Sequence, residues 1–334
     1  MIDCTLCYLE RDGQYLMLLR NKKQRDVNAG KWIGVGGRRE AGETPEACAL
    51  REIREETGLT VRDLTARGVV NFVSDAAEDE RMFLYTARDF EGTLIDCDEG
   101  ELHWIDREAV FGLPLWDGDR IFLQKLLDDA PFFEMTLTYE GERLRRCVCD
   151  GQTLELLDVY RPDGSPAGYV AERGYMHRHG IWHITAHTWI VRRSAAGEPE
   201  LLLQLRSVKK RLYPGCYDIS SAGHIDAGED VHTAALRELE EELGLHADPS
   251  ALRFVGIRQS LYDDDVGEGY HDREYCYVYL YEGDVRADEL RLQESEVDGF
   301  CWMAFDALVQ ALREGSMPLC VEPPELELLA PALT

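Results

Sequence analysis

Two stretches of this 334-residue chain carry acidic residues at the same spacing. Residues 37–59 read GRREAGETPEACALREIREETGL, and residues 223–245 read GHIDAGEDVHTAALRELEEELGL. Each has a glycine, a glutamate six residues later, an Arg-Glu-aliphatic triplet, a Glu-Glu pair and a Gly-Leu pair at identical offsets. Chance explains two such patterns in one chain poorly. The sequence therefore predicts two copies of one site, which we call the first and second acidic stretches.

The glutamates of the first acidic stretch indicate a site for a divalent cation. Glu52, Glu55 and Glu56 lie at i, i+3 and i+4, so a helix would place their carboxylates on one face, where like charges repel. Carboxylate oxygens suit Mg²⁺ or Mn²⁺, which keep water ligands and bridge substrate phosphates. We therefore predict metal ligation by these side chains. The equivalent residues of the second acidic stretch are Glu238, Glu241 and Glu242.

An arginine precedes these glutamates in each acidic stretch. Arg51 lies one helical turn before Glu55 and is expected to orient it. Arg237 has the same relation to Glu241. We therefore include both arginines among the candidate catalytic residues.

Basic and glycine residues before the helix are the candidates for substrate contact. Gly36 and Gly37 allow the backbone to approach a ligand closely or to adopt a positive φ. Lys23 precedes them and is the residue we expect to meet a phosphate. A solvated loop lysine is an equally good interpretation of Lys23.

Each acidic stretch requires one helix to hold this geometry. Thr44 followed by Pro45 is typical of an N-cap and a first helical position, and Asp230 is the expected cap of the second copy. Gly58 and Gly244 are the expected helix stops. A helix of about four turns is predicted between cap and stop. The first-helix residues expected to face the core are Ala47, Leu50 and Ile53.

Both acidic stretches resemble the signature of the Nudix hydrolases. That signature is a glycine, five residues, a glutamate, seven residues, Arg-Glu-aliphatic, one residue, Glu-Glu, one residue and Gly-aliphatic, and both copies fit it without a departure. The resemblance implies an α/β fold, in which each domain is an α/β/α sandwich with a mixed β-sheet flanked by helices. It also implies Mg²⁺-dependent hydrolysis of a nucleoside diphosphate linked to a further group. The glutamates of both stretches would then carry the metal and the general-base function.

The repeat favours two domains. A chain of 334 residues is long for one ordinary domain, since domains mostly run to ~100–150 residues. The segment TLTYEGERLRRCVCD is typical of a hairpin that closes the first domain, and Gly151 and Gln152 follow it as a plausible joint. We therefore expect domains at residues 1–150 and 151–334.

The charge and hydrophobicity of the sequence limit the classes of molecule that the protein can bind. The net charge of −28 argues against a polymeric nucleic-acid partner, because the basic surface that would neutralise its backbone is missing. Metal ions reverse the local sign of the charge, so a small nucleotide or another diphosphate remains a suitable substrate. No apolar run approaches the ~20 residues of a membrane span and no signal peptide opens the chain, so we expect a cytosolic protein with reduced cysteines and no membrane partner. The oligomeric state stays open.

Within the family, the first half is similar to the MutT-type oxidised purine nucleoside triphosphatases, which hydrolyse 8-oxo-dGTP. The likeness rests on the segments KWIGVGGRREAGE, LHWIDREAV, LPLWDGDRIFLQKLL and PFFEMTLTYEGERL. It implies that Trp116 and Asp119 contact the purine base and that Glu99 is an extra metal ligand. An indole can stack on the base, and a carboxyl group can pair with the donor edge of an oxidised guanine. Ile33 and Gly118 stand where some members carry Asn and a second Asp.

Histidines are concentrated at the start of the second half. Four of the nine lie close together, at His177, His179, His183 and His187. Such clustering suggests contact with a metal or a phosphate. A polar strand face with satisfied imidazoles is the alternative.

The second half resembles the Nudix group that contains isopentenyl-diphosphate isomerase and its hydrolase-like relatives. The resemblance rests on GIWHITAHTW, on YPGCYD followed by AGH, and on REYCYVYLYE. It implies that His183, His224 and Glu274 lie near the isomerase's metal and proton-transfer positions. Ala222 stands where the isomerase has its reactive cysteine, so we expect a diphosphate hydrolase of unspecified substrate. A non-catalytic ligand sensor and an isomerase are the alternatives.

Overall fold

A computed structural model describes residues 1–23, 26–264, 269–283, 285–286 and 290–334. The chain divides into two compact units. The first comprises Met1–Leu156 and Val170–Tyr175, and the second comprises Leu157–Tyr169 and Met176–Thr334. Within the described ranges, no helix has the length and apolar character needed to cross a bilayer.

The first unit is built on a mixed sheet. Its strands are β1 (Ile2–Arg11), β2 (Gln14–Arg20), β3 (Trp32–Ile33), β4 (Thr60–Ser74), β5 (Glu80–Glu91), β6 (Gly100–Asp106), β7 (Phe133–Glu140), β8 (Arg143–Cys149) and β9 (Gln152–Leu154). They run in the order β3-β2-β1-β5-β4-β7-β8-β9, with β6 paired to β2. The β1–β5 and β4–β7 pairs are parallel and the others are antiparallel. Its helices are α1 (Pro45–Thr57) and α2 (Asp117–Leu127), with a short 3₁₀ turn at Ala109–Gly112.

The segment that follows contains a two-stranded sheet and a short helix. Strands β10 (Leu156–Tyr160) and β11 (Pro166–Glu172) pair with each other, and α3 (Arg173–His179) comes next.

The second unit repeats the mixed sheet. Its strands are β12 (His183–Arg193), β13 (Pro199–Arg206), β14 (Tyr217–Asp218), β15 (Ser221–His224), β16 (Leu252–Asp264), β17 (Tyr270–Tyr281) and β18 (Val297–Ala304). They run in the order β14-β13-β12-β17-β16, with β15 paired to β12 and β18 to β13, and β12 runs parallel to β17. Its helices are α4 (Val231–Leu243), α5 (Phe305–Glu314) and α6 (Pro323–Leu329). The α/β fold predicted for both halves is confirmed.

Apolar residues of β12 alternate between the two faces of this second sheet, as a pleated strand requires. Ile184 and Ala186 pack in the core cluster that contains Leu239 of α4. Trp189 and residues of neighbouring strands pack instead with Leu326 of α6. The sheet of the second unit is therefore covered by α4 on one face and by α6 on the other.

Both helices of the acidic stretches begin and end at the expected residues. The Thr44 hydroxyl accepts from the Ala47 amide at 3.2 Å, and the Asp230 carboxylate caps α4 in the same way. Gly58 and Gly244 end the helices with φ of 75° and 65°, a left-handed conformation that glycine adopts at little cost.

The buried face of α1 differs from the expected one. Ile53 is buried as predicted, but Ala47 and Leu50 are exposed. The buried arc of the helix instead contains Ala49, Ile53 and Glu56, which lie close together at 3.6 residues per turn. The carboxylate of Glu56 therefore lies on the buried face of α1, where we had expected only aliphatic side chains.

Candidate functional site

Arg51 organises the carboxylates of the first acidic stretch. Its Nε and Nη2 donate to the two oxygens of Glu43 at 3.0 and 3.1 Å, which is a bidentate pair. Its Nη1 donates to Glu52 at 2.7 Å and to Glu55 at 3.0 Å. Nη2 also donates to the carbonyl oxygen of Arg38 at 3.1 Å. One guanidinium thus holds three glutamates, and Glu43 is a partner to which we had assigned no role although it stands at a repeated position.

The second acidic stretch repeats this arrangement. Arg237 donates to the two oxygens of Glu229 at 3.0 and 2.9 Å. It donates to Glu238 at 2.6 Å, to Glu241 at 3.0 Å and to the carbonyl oxygen of His224 at 3.0 Å. Equal residue spacing therefore produces equal side-chain geometry in the two units.

Glu56 is the buried carboxylate of the first site. Its side chain is 6% exposed, whereas that of Glu55 is 60% exposed. Glu56 Oε2 accepts from the Gly36 amide at 2.8 Å, and Oε1 has no hydrogen-bond partner among the described residues. Burial raises the pKa of Glu56 to about 7. A buried carboxylate oxygen without a hydrogen-bond partner is stabilised by binding a proton or a cation.

Glu242 is the buried carboxylate of the second site. Its oxygen accepts from the Ala222 amide at 3.2 Å. Burial raises the pKa of Glu242 to about 8. The two units therefore share a buried acid at the same helical position.

A side chain at the first residue of each acidic stretch would displace a glutamate. A Cβ on Gly37 would lie 2.5 Å from the carboxyl carbon of Glu52, and one on Gly223 would lie 2.1 Å from that of Glu238. The glycines therefore leave space for the carboxyl groups of Glu52 and Glu238 to pack against the backbone.

The residues at α1 fit a divalent cation of the magnesium type. All donors are carboxylate oxygens, and Arg51 contacts one oxygen each of Glu52 and Glu55, so each keeps a second. The described residues contain three groups of His, Cys, Asp or Glu whose ligand atoms lie within 4.8 Å of one another, and the α1 and α4 glutamates are not among them. Mg²⁺ usually keeps several waters and binds one or two carboxylates. The donor set therefore suits Mg²⁺ without convergence of all three side chains.

Two expected site residues contact each other. Glu99 is ion-paired with both Lys23 and Arg20. Arg20 also donates to Asp26 at 2.7 Å and lies 3.9 Å from Glu56 Oε1. Arg20 thus connects Glu99 with the buried acid of α1. The sequence held no signal for Arg20, because it is an ordinary residue at the end of β2.

Trp116 and Asp119 stand at the start of α2. Trp116 is the N-cap residue and is half-buried. Its Nε1 donates to Asn28 Oδ1 at 2.8 Å, and the Lys31 ammonium lies 4.6 Å from its ring centroid, within cation–π distance. Tyr139 meets the indole edge-on at 5.9 Å. Asp119 is buried, and burial raises its pKa to about 7.

The two departures from the MutT-type pattern lie in tightly packed surroundings. The Gly118 amide donates to the Tyr139 hydroxyl at 2.8 Å. A Cβ on Gly118 would lie 2.4 Å from Leu137 Cδ1, so an aspartate there would displace the Leu137 side chain. Ile33 is buried in an apolar cluster with Leu18, where an asparagine would lose hydrogen bonds to water.

A group of imidazoles and carboxylates lies in the second unit. Ligand atoms of His177, His183 and His224 lie within 4.8 Å of one another, and so do those of His183, Asp272 and Glu274. His183 Nε2 is 3.7 Å from Asp272 and 3.6 Å from Glu274. Two of the four histidines clustered in the sequence thus meet His224, which comes from the second acidic stretch. The carboxylates of β17 join them only through strand pairing.

Comparisons with known proteins show which proteins this chain is similar to. A profile of the NUDIX domain matches residues 3–126 and 183–319. An uncharacterised Nudix hydrolase of Clostridium acetobutylicum is 35% identical over 158 residues, which are 47% of this chain and 74% of that protein. The oxidised purine nucleoside triphosphate hydrolase of Danio rerio is 33% identical over 130 residues, 38% of this chain and 81% of that protein. The crystal structure of a MutT protein from Bacillus halodurans is 28% identical, with a TM-score of 0.41 over 45% of this chain and 98% of that one.

Proposed function

Because the chain belongs to the Nudix hydrolase family and carries its domain twice, we propose that each half cuts a phosphoanhydride bond with the help of Mg²⁺, for which Mn²⁺ can substitute. Hydrolases of this family generally use divalent metal ions. The ligands would be Glu52, Glu55 and Glu56 in the first half, and Glu238, Glu241 and Glu242 in the second. Glu99 would supply a further ligand in the first half.

For the first half we propose an oxidised purine nucleoside triphosphate as the substrate, with 8-oxo-dGTP as the first compound to test. Relatives with that activity in their names are 33% and 31% identical to this chain over the aligned residues. Trp116 is half-buried beside Lys31 and Asn28, so its indole is available to stack on a base. Asp119, one turn further along α2, would pair with the donor edge of the base.

Residues of the first half would have distinct roles in hydrolysis. A bound Mg²⁺ would neutralise the diphosphate and lower the pKa of the attacking water. Arg51 holds Glu52 and Glu55 through charge-assisted hydrogen bonds. Glu55 or Glu56 would accept the proton of the attacking water. The pKa of about 7 that burial gives Glu56 belongs to the metal-free site, because a bound cation favours the ionised carboxylate. Lys23, with the glycines that precede the helix, would meet the phosphates.

For the second half we propose a diphosphate hydrolase whose substrate class is open. The contacts of Arg237 agree with those of Arg51 to within 0.2 Å, and this duplication carries the proposal. A sensor that only bound its ligand would not need the same set of carboxylates. Ala222 lacks the thiol that the isomerase resemblance requires, which disfavours isomerase activity.

A phosphate-release screen over oxidised and normal nucleotides and other diphosphates tests both halves. Glu56→Gln should abolish turnover of the first half's substrate, and Glu242→Gln that of the second half's. Glu46→Gln, an exposed position on α1, is the matched control and should retain full activity. Turnover that survives both site variants would remove these glutamates from the reaction. A silent Glu242→Gln variant on every substrate would favour the sensor, and conversion of isopentenyl diphosphate would favour the isomerase.

A further inference from the structure

Polar side chains share one face of the second unit's sheet, where a core would normally be apolar. His183, Thr185 and His187 alternate along β12 and therefore point to the same side. In the parallel pairing with β17, Glu274 stands opposite His183 and Cys276 stands opposite Thr185. Side chains opposite one another on paired strands lie on the same face, so both strands contribute to one polar patch. The carboxylate helix α4 packs on the other face.

Three of these residues form a compact group of possible ligands. Ligand atoms of His187, Glu274 and Cys276 lie within 4.8 Å of one another. Cys276 Sγ is 3.6 Å from Glu274 Oε2. Thr185 Oγ1 is 3.4 Å from His187 Nε2 and 3.5 Å from Glu274 Oε2. A tetrahedral ion with bonds of 2.0–2.3 Å needs ligands about 3.5 Å apart. The Cys276–Glu274 distance and the two distances from Thr185 match this spacing.

A buried carboxylate from α6 orients the imidazole. Glu325 is fully buried and lies 3.0 Å from His187 Nδ1. It also accepts from Trp189 Nε1 and from Arg258 Nε, both at 2.8 Å. A carboxylate can only accept here, so Nδ1 carries a hydrogen and Nε2 is the nitrogen that faces Thr185. Although burial lowers the pKa of His187, Cys276 and Glu325 raise it above its ordinary value, so a cation that binds Nε2 displaces a proton. Metal-binding histidines usually donate their second N–H to a carboxylate in this way.

The strand pairing allows equivalent positions of the two units to be matched. Thr185 pairs with His224 in the second unit, and Cys4 pairs with Arg38 in the first. His224 and Arg38 each follow the first glycine of their acidic stretch by one residue. Cys4 is therefore the equivalent of Thr185.

The fold itself does not require the ligand group. Two residues further along the strand, Leu6 is the equivalent of His187, and across the parallel pair Met82 is the equivalent of Cys276. Both are buried and apolar. The carboxylate is common to both units, because Glu80 stands opposite Ile2 as Glu274 stands opposite His183. The imidazole of His187 is present in the second unit alone, and since burying a polar group costs free energy, it indicates a role other than packing.

We propose that His187, Cys276 and Glu274 bind a thiophilic divalent transition metal such as Zn²⁺ or Co²⁺, with Thr185 or a water at the fourth position. The thiolate and imidazole distinguish this site from the oxygen-only carboxylates of α4, which select Mg²⁺. Binding releases the thiol proton of Cys276 and the Nε2 proton of His187 to solvent, so affinity falls as the solution becomes more acidic. The site goes beyond the hydrolytic function, and its test does not depend on hydrolysis.

Cobalt reports the thiolate directly. Titration of the metal-free 334-residue chain with Co²⁺ should develop a thiolate-to-cobalt charge-transfer absorption in the near ultraviolet. Cys276→Ser should abolish this absorption, whereas Cys301→Ser, which removes another cysteine of the second unit, should leave it intact. Cobalt bound by the neighbouring histidines alone gives no such band. A wild-type protein without the band, or a band that persists in Cys276→Ser, would overturn the proposal.

A second variant and a measurement on the wild type guard against misfolding of Cys276→Ser. Glu325→Gln should keep the band but shift the Co²⁺ midpoint to about 10–100-fold higher concentration, the usual cost of losing an orienting carboxylate. In the wild type, Zn²⁺ should slow alkylation of Cys276, followed by peptide mass spectrometry, and should not slow that of Cys301. Equal alkylation of Cys276 with and without Zn²⁺ would refute the site.

Discussion

Replacing Glu56 by glutamine should stabilise the metal-free first unit at neutral pH. Burial raises the pKa of Glu56 from its ordinary 4.5 to about 7. Below pH 4.5 the group is protonated in both the folded and the unfolded chain, so its contribution to stability is then fully present. Between pH 4.5 and 7 only the folded protein keeps the proton, and stability is lost as the pH rises. Glutamine at this position mimics the protonated acid and does not titrate.

The expected size of the effect follows from the pKa. Between pH 4.5 and 7, each pH unit lowers the free energy of unfolding of the wild type by about 1.4 kcal/mol. The free energy of unfolding of the variant should therefore exceed that of the wild type by about 1.4 kcal/mol at pH 5.5 and by about 3 kcal/mol at pH 8. Added Mg²⁺ should stabilise the wild type by about 2.7 kcal/mol at a hundredfold excess over its dissociation constant, and it should stabilise the variant much less.

Urea denaturation followed by tryptophan fluorescence measures both effects. The series should run from pH 5.5 to 8.5, above the isoelectric point of about 4.7, first with a chelator and then with Mg²⁺. Glu46→Gln, which changes an exposed glutamate of the same helix, should leave the pH profile of the wild type unchanged. If Glu56→Gln is no more stable than the wild type at pH 8 without metal, the burial argument is wrong. If Mg²⁺ stabilises both proteins equally, Glu56 is not a metal ligand.

Three further substitutions test the positioning of the first site. Gly37→Ala would bring a methyl group to 2.5 Å from the Glu52 carboxyl carbon, so kcat should fall about 100-fold while circular dichroism stays unchanged; normal kcat would contradict this. Arg51→Lys cannot reproduce the bidentate contact with Glu43, and kcat should fall about 10–100-fold with a smaller change in KM. Ionised Asp119 should accept hydrogen bonds from the base more strongly, so KM for 8-oxo-dGTP should fall as the pH rises through about 7. Asp119→Asn should flatten that profile, and an unchanged profile would exclude the role.

The acidic stretches were predictable because their interactions are local. The caps and stops of both helices depend on residues within about four positions of each other. The same is true of the contact between each arginine and the glutamate one helical turn later. The same local rules explain why the two units agree in their side-chain distances. The family and the α/β fold follow from these motifs as well.

The burial of individual residues was less predictable. Ala47 and Leu50 were expected in the core and are exposed, while Glu56 is buried. Sequence periodicity identifies which residues share a helix face. It does not say how the helix is rotated against the sheet, and that rotation sets the pKa of Glu56.

By itself, the sequence determined the two acidic helices, their spacing and the family. Only the tertiary structure decided that Glu99 pairs with Arg20, that Tyr139 closes the space at Gly118, and that Cys276 lies beside His187. Each of these contacts joins residues at least 20 positions apart. Their proximity depends on strand register and sheet order, which arise from the packing of the whole unit and leave no periodic signal along the chain.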